Sequence, residues 1–186
     1  EEQCESWRAA GSFAFDTEFI RDDTYDATLC LIQVTTDGTA ALIDPTADVD
    51  VRVFWQLVAD PAVMTIVHAG KEDFEVCLRT TGQVPRNVFD VQVAAGFVGR
   101  GYPLSLVRLV ESVLKRRISK GQTLTDWLRR PLTPAQIRYA VEDVIYLPAI
   151  QAQLASEIER AGRTTWLAEE MRDFEQAEFY RAPVED

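Results

Sequence analysis

Residues 13–19 read Phe-Ala-Phe-Asp-Thr-Glu-Phe, a stretch in which aromatic and polar side chains alternate. Successive side chains of a β-strand point to opposite faces, so this pattern predicts a strand with its aromatic rings on one face and Asp16 and Glu18 on the other. The aromatic face needs an apolar layer to cover it. The two carboxylates are therefore held side by side at the end of a buried strand.

This carboxylate pair points to a divalent metal. Two carboxylates about 4 Å apart repel each other by about 4 kcal/mol at an effective dielectric constant near 20, so one is protonated or a cation lies between them. Mg²⁺ prefers oxygen ligands and is commonly held by a few carboxylates together with substrate phosphates. The alternative is that both carboxylates reach solvent beyond the end of the strand.

The flanking sequence predicts further strands and helices. Residues 28–36 are rich in apolar and β-branched side chains, and Asp37-Gly38 predicts a tight hairpin into a strand at 40–43. Strands are also predicted at 63–68 and around 88–89. Helices are predicted at 5–10, 51–59, 71–81, 91–98, 104–117, 134–161 and 164–180. This order indicates an α/β domain with a mixed five-stranded sheet, helices on both faces and a helical C-terminal third.

A second polar group follows the strand at 63–68. His68 ends that strand, and Asp73 falls in the first turn of the next helix, where the helix dipole favours an anion. If the strand runs parallel to the first, His68 lies at the same rim of the sheet as Glu18. A hydrogen-bonded structural histidine and a plain helix-start carboxylate are the alternatives. Because the chain has 1 histidine, any mechanism that needs two is excluded.

A third group lies on the helix predicted from residue 134. Thr133 is suited to the N-cap, and Gln136 completes a capping box. Tyr139 and Asp143 are four residues apart and therefore share one face of this helix, although a solvated face is the alternative. Ile137, Val141 and Val144 mark its apolar side.

The charge distribution is uneven. The formal net charge of -11 argues against a nucleic-acid partner, yet nine of the 11 charged residues between 100 and 138 are basic. This basic segment suggests a platform for phosphates, and a solvated helical face is the alternative.

Composition excludes several other classes of protein. The 3 cysteines are odd in number and lack ligand-like spacing, which argues against a disulfide scaffold and a zinc site and for a reducing, cytoplasmic location. No apolar run approaches the roughly 20 residues of a membrane helix, and we expect no secretory signal.

Together the three groups resemble the tyrosine subgroup of the DEDD 3′→5′ exonucleases and, within it, the ribonuclease D family. The histidine subgroup would place histidine where this chain has Arg138. The chain departs from ribonuclease D at Thr24–Thr28, where that family usually has an aromatic residue and a proline. The resemblance covers about residues 5–160 and includes Phe15–Phe19, Leu31–Gln33, Leu42–Pro45, His68–Gly70, Phe89-Asp90, Thr125–Trp127 and Arg130–Leu132.

The resemblance implies a ribonuclease H-like fold and phosphodiester hydrolysis that uses two divalent metal ions, Mg²⁺ or Mn²⁺. Asp16 would bridge both metals, Glu18 and Asp143 would complete the metal on the nucleophile side, and Asp73 would support the second. Tyr139 would orient the attacking water.

We therefore expect a 3′→5′ exoribonuclease that releases nucleoside 5′-monophosphates during the processing of tRNA or other structured RNA. Exonuclease action on single-stranded DNA and a catalytically silent binding module remain alternatives. His68, Lys120 and Arg130 are the expected nucleic-acid contacts, Asp90 an expected helix N-cap, and Asp126-Trp127 an expected structural anchor.

We expect one domain over residues 1–186, with its core at about 12–160 and without the helical nucleic-acid-binding domains that follow the nuclease in ribonuclease D. We also expect a monomer with no organic cofactor and no membrane partner.

Overall fold

The alternating stretch at residues 13–19 lies in the central strand of a five-stranded mixed sheet. The structure, a computed structural model, describes residues 1–21, 27–36, 38–118 and 126–181. Its strands are β1 (Ser12–Arg21), β2 (Ala27–Thr36), β3 (Thr39–Ile43), β4 (Met64–Val67) and β5 (Val88–Asp90).

The sheet is mixed and five-stranded, as predicted. The strand order is β3-β2-β1-β4-β5. The first three strands form an antiparallel meander, whereas β4 runs parallel to β1 and β5 runs parallel to β4. The carboxyl ends of β1 and β4 therefore lie at the same edge of the sheet, as expected for Glu18 and His68.

Eight α-helices occupy the described part of the chain, and two 3₁₀ turns, Arg172–Glu175 and Ala177–Tyr180, follow the last one. The helices are α1 (Glu2–Ala10), α2 (Arg52–Val58), α3 (Lys71–Thr81), α4 (Val91–Phe97), α5 (Leu106–Leu114), α6 (Pro134–Ile145), α7 (Leu147–Arg160) and α8 (Thr164–Met171). Among the described residues, no helix combines the length and the apolar character needed to cross a membrane.

The two faces of the sheet are covered by different helices. On the aromatic face, the Phe15 ring lies 5.3 Å from the ring of Phe54 in α2 and 5.8 Å from that of Phe74 in α3, measured between centroids. On the other face, α6 packs on β1, β2 and β3, and Trp127, Ala140 and Leu31 belong to one buried apolar cluster. Helices therefore cover β1 on both sides.

Three predicted helices are wrong in extent. The helix predicted over 134–161 is two helices that meet at Tyr146, because Pro148 has no N–H with which to continue the ladder and is tolerated only in the first turn of α7. The helix predicted over 104–117 ends at Leu114, since Lys115 adopts a left-handed conformation with φ of 56°. The helix predicted over 164–180 ends at Met171 and gives way to the 3₁₀ turns.

Candidate active site

Three carboxylates meet where α6 crosses the carboxylate face of β1. The strand presents Asp16 and Glu18 there, and the helix presents Asp143, one turn after Tyr139. One carboxylate oxygen from each of Asp16, Glu18 and Asp143 lies within 4.8 Å of the other two. All three side chains are partly buried. The capping box predicted for Thr133 and Gln136 is present and determines where α6 begins.

A fourth carboxylate, Asp73, reaches the site from the opposite face of the sheet. It lies in the first turn of α3, is 7% exposed, and accepts a hydrogen bond from the Thr17 hydroxyl. Thr17 alternates with Asp16 and Glu18 along β1, so its side chain points towards α3. Asp73 is outside the group of three carboxylates, yet its charge raises the pKa of both Asp16 and Glu18.

The start of α3 is held by a tight turn between β4 and α3. Asp90, the predicted N-cap of α4, accepts hydrogen bonds from the backbone N–H groups of Gln92 and Val93 and also from those of Ala69 and Gly70. A Cβ atom at Gly70 would lie 2.6 Å from a methyl carbon of Val67, so a larger residue would force the turn apart. This turn therefore determines where Asp73 lies relative to the sheet.

The four carboxylates have raised pKa values. Burial is the largest cause in each case, and it raises the pKa of Glu18 to about 8 and those of Asp73 and Asp143 to about 7. Burial and then the charges of Asp73, Asp143 and Glu18 raise the pKa of Asp16 well above its ordinary value. Without a cation, the site therefore retains protons at neutral pH, and a bound cation would displace them.

Tyr139 is a neutral phenol in this setting. Burial, followed by the charges of Asp143, Glu18 and Asp16, raises the pKa of its hydroxyl above the ordinary value. The hydroxyl is hydrogen-bonded to Asp143, and the ring lies 6.0 Å from that of Trp127 between centroids. Tyr139 is therefore suited to holding a water or a carboxylate in place and unsuited to removing a proton at neutral pH.

The donor set fits a hard divalent cation. Carboxylate oxygens are the ligands that Mg²⁺ and Mn²⁺ prefer, and a cation between like charges removes their mutual repulsion. The site can therefore hold a divalent metal ion.

Arg130 makes structural contacts within the chain, and its role in binding nucleic acid stays a prediction. Its guanidinium forms an ion pair with Asp44, and its Nη atoms donate to the carbonyl oxygens of Trp127 and Cys30 at 2.7 and 2.8 Å. The guanidinium holds the pKa of Asp44 well below its usual range. Arg130 thus joins β2, the end of β3 and the segment before α6. We call this the Arg130 clamp.

His68 lies at the expected edge of the sheet, where its Nε2 is hydrogen-bonded to the Leu104 carbonyl at 2.8 Å. This bond matches the structural alternative, and a role in binding nucleic acid stays a prediction. Lys120, Thr125 and Thr24–Asp26 lie outside the described residues. Asp126 and Trp127 do anchor the chain, because the Asp126 carbonyl accepts from Gln136 and Trp127 is buried.

Sequence reasoning missed three residues of this region. The alternation along residues 13–19 places Thr17 on the aromatic face and gives it no function, and no local spacing connects Asp44 to Arg130. Gln33 was noted only as part of a family landmark, although it pairs directly with Asp16 across β1 and β2. A polar residue within a predicted buried strand was the available signal for Thr17 and Gln33.

A family model described as 3′-5′ exonuclease matches residues 1–159. Ribonuclease D of Shewanella sp. (strain ANA-3) is 45% identical over 155 residues, which are 83% of this chain and 40% of that protein. Ribonuclease D of Pseudomonas paraeruginosa is 40% identical over 169 residues, 91% of this chain and 45% of that protein. The chain thus spans less than half the length of these curated relatives.

Solved structures show the same similarity. One is the crystal structure of Escherichia coli RNase D, an exoribonuclease involved in structured RNA processing. It matches this chain with a TM-score of 0.89 at 36% sequence identity, and the match covers 97% of this chain and 48% of the E. coli chain. Brucella melitensis NrnC has a TM-score of 0.79 at 29% identity, over 88% of this chain and 81% of its own. Other structures of NrnC contain bound pGG or bound Mg²⁺.

Proposed function

The chain belongs to the 3′-5′ exonuclease family and is homologous to ribonuclease D, and on that basis we propose that it is a metal-dependent exoribonuclease acting on RNA 3′ ends. The observation that carries this proposal is the meeting of Asp16, Glu18 and Asp143 within 4.8 Å, beside Tyr139. The products would be nucleoside 5′-monophosphates, released one at a time from a free 3′ end.

The carboxylates would hold two divalent cations, Mg²⁺ or Mn²⁺. Asp16, flanked by the other three carboxylates, is suited to contact both cations. Glu18 and Asp143 would complete one site and Asp73 the other. Bound cations lower the pKa of an attacking water and neutralise charge on the phosphate.

Tyr139 would orient the attacking water. Its raised pKa keeps the phenol protonated, so the hydroxyl can hold a water by hydrogen bonding while it stays bonded to Asp143. Thr17 would keep Asp73 in the orientation needed for a metal ligand, since its hydroxyl donates to that carboxylate.

The substrate we favour is structured RNA, such as the 3′ ends of tRNA, because E. coli RNase D is described as processing structured RNA. A second candidate is a short oligonucleotide. The chain matches 81% of NrnC, a relative of similar size, and one NrnC structure contains pGG.

The nuclease core would comprise about residues 12–160. The three buried free cysteines are consistent with a reducing, cytoplasmic environment.

The direct experiment is an exonuclease assay on 5′-labelled RNA, DNA and a dinucleotide, with Mn²⁺, Mg²⁺ or EDTA. We expect metal-dependent shortening from the 3′ end and release of 5′-monophosphates, with RNA preferred. Asp16→Asn, purified identically, controls for contaminating nucleases. If metal-loaded wild type left all three substrates intact, the proposal would be wrong. A strong preference for the dinucleotide would favour the second candidate.

A further inference from the structure

Gln33 is a fully buried polar residue beside the carboxylate cluster. It lies on β2 in direct register with Asp16 on β1, and 0% of its surface is exposed. Among the described residues, neither its amide nitrogen nor its amide oxygen has a hydrogen-bond partner. The next residue along β2 on the same face is Thr35, which is equally buried but donates its hydroxyl to the Thr39 carbonyl at 2.9 Å.

The register brings Gln33 within reach of Asp16. Directly paired residues in an antiparallel sheet share a face, and their Cβ atoms lie about 4.5–5.5 Å apart. The helix α6, which supplies Tyr139 and Asp143, packs over β1 and β2 on this face. The Gln33 amide is thus enclosed between the strand and the helix that build the site.

An unpaired buried amide contributes nothing to the stability of the fold. Its desolvation costs free energy, and a methionine of similar length would fill the same space without that cost. The Gln33 amide has two N–H groups to donate, and the nearest charged acceptor in the strand register is the Asp16 carboxylate.

We propose that Gln33 is a positioning residue for Asp16. Its amide N–H donates to one Asp16 oxygen when the site holds a cation, and this bond turns the other oxygen towards the metal. The proposal rests on the metal-dependent function proposed above. Groups that hydrogen-bond to metal ligands in this way typically account for 10–100-fold in metal affinity or activity.

Gln33→Met tests the proposal, since it keeps the length of the side chain and removes both polar atoms. We expect the metal-free variant to be at least as thermally stable as the wild type. Its Mn²⁺ affinity, measured by calorimetry, should fall about 10-fold, and kcat on RNA at fixed Mn²⁺ should fall more than KM changes.

Thr65→Val provides the matched control. Thr65 is also fully buried with an unpartnered hydroxyl among the described residues, but it pairs with Phe13 and Val88, away from the carboxylates. This variant should bind Mn²⁺ like the wild type, so a loss in both variants would point to general loosening and overturn the proposal.

Two results separate this inference from the proposed function. Wild-type protein that binds Mn²⁺ and cleaves RNA, next to a Gln33→Met variant with unchanged affinity and kcat, would overturn the role of Gln33 alone. Wild-type protein with no Mn²⁺ binding would overturn both. If Gln33→Met does not fold, Gln33→Leu, which also removes both polar atoms, decides the question by the same criterion.

Discussion

Glu18, Asp73 and Asp143 have pKa values of about 8, 7 and 7, against ordinary values near 4, chiefly because their carboxyl groups are buried. A carboxylate whose pKa is higher in the folded protein binds more protons when folded than when unfolded. Raising the pH from about 4 to 8 therefore removes stability.

We accordingly expect the melting temperature of the metal-free protein to fall between pH 5.5 and pH 8.5. Each kcal/mol lost lowers it by about 2–4 °C for a chain of this size. Asp16→Asn should flatten this pH dependence, because it removes one of the repelling charges, and saturating Mn²⁺ should flatten it too. Melting curves at several pH values, with EDTA or Mn²⁺, measure this directly. A melting temperature that rises over this range would contradict the assigned burial of the carboxylates.

Tyr139 allows the role of a single hydroxyl to be tested. Tyr139→Phe removes the group that we expect to orient water and keeps the ring that contacts Trp127. The variant should bind Mn²⁺ and RNA nearly normally, with kcat reduced roughly 10²-fold because the attacking water is no longer held in position. Single-turnover cleavage measures this, with Tyr102→Phe, an exposed tyrosine, as the control. Full activity would remove Tyr139 from the mechanism.

At the scale of elements, the Arg130 clamp can be distinguished from a phosphate contact. Arg130→Gln breaks the ion pair with Asp44 and the bonds that join β2 to the segment before α6. We expect a lower melting temperature and a lower kcat, since α6 carries Tyr139 and Asp143. Arg129→Gln, at the exposed neighbouring position, should leave the melting temperature unchanged. An Arg130→Gln variant with normal stability and only a raised KM for RNA would instead support the predicted contact with nucleic acid and contradict the clamp.

The elements that could be predicted from the sequence are those specified by local patterns. Alternation along 13–19 identifies β1, and the glycines that follow the helices predicted at 5–10 and 71–81, Gly11 and Gly82, end α1 and α3 in a left-handed conformation. The break between α6 and α7 at Tyr146 is not predicted by the sequence, because the apolar spacing continues across Tyr146. Pro148 gives no clear signal, since proline is compatible with the first turn of a helix. Ile137, predicted on the apolar side of α6, is 41% exposed, because the buried side of this helix is formed by Gln136, Ala140 and Val144 instead.

The residues of the site also fall into two groups, those that a local sequence pattern identifies and those that only the three-dimensional structure reveals. The pattern and the family resemblance pointed to Asp16, Glu18, Asp73, Tyr139 and Asp143, and the structure brings these residues to one end of the sheet. The ion pair between Arg130 and Asp44 joins residues that are 86 positions apart in the sequence, so no local spacing predicts it. The isolation of the Gln33 amide likewise depends on what surrounds it in three dimensions.

At the scale of the whole molecule, the basic segment at residues 100–138 offers less positive charge for binding phosphates than its count of basic residues suggests. Three of its arginines pair with acidic residues of the same chain: Arg100 with Glu157, Arg117 with Glu111, and Arg130 with Asp44. Arg129 and Arg138, which flank the start of α6, are exposed. They are therefore further candidates for phosphate contacts beside the predicted Lys120 and Arg130.

Replacing Arg129 and Arg138 by Gln should weaken the binding of single-stranded RNA. Each lost phosphate contact reduces the slope of log affinity against log salt by about 0.7, so the double variant should lose about 1.4. Affinity measured over a salt series in the Asp16→Asn background, which we expect not to cleave, tests this. The exposed pair Arg160 and Arg172 serves as the control. An unchanged slope would mean that other residues provide the contacts with phosphate.

The contact between Trp127 and Tyr139 also places a native fluorophore beside the candidate active site. Of the 4 tryptophans, Trp7 and Trp55 lie in the main core and Trp166 is exposed, whereas the Trp127 ring lies 6.0 Å from the side chain expected to face the scissile phosphate. Indole emission responds to nearby polar and charged groups. We therefore expect the intrinsic fluorescence of Trp127 to change when a cation or an RNA 3′ end occupies the site, so that binding can be followed without a label.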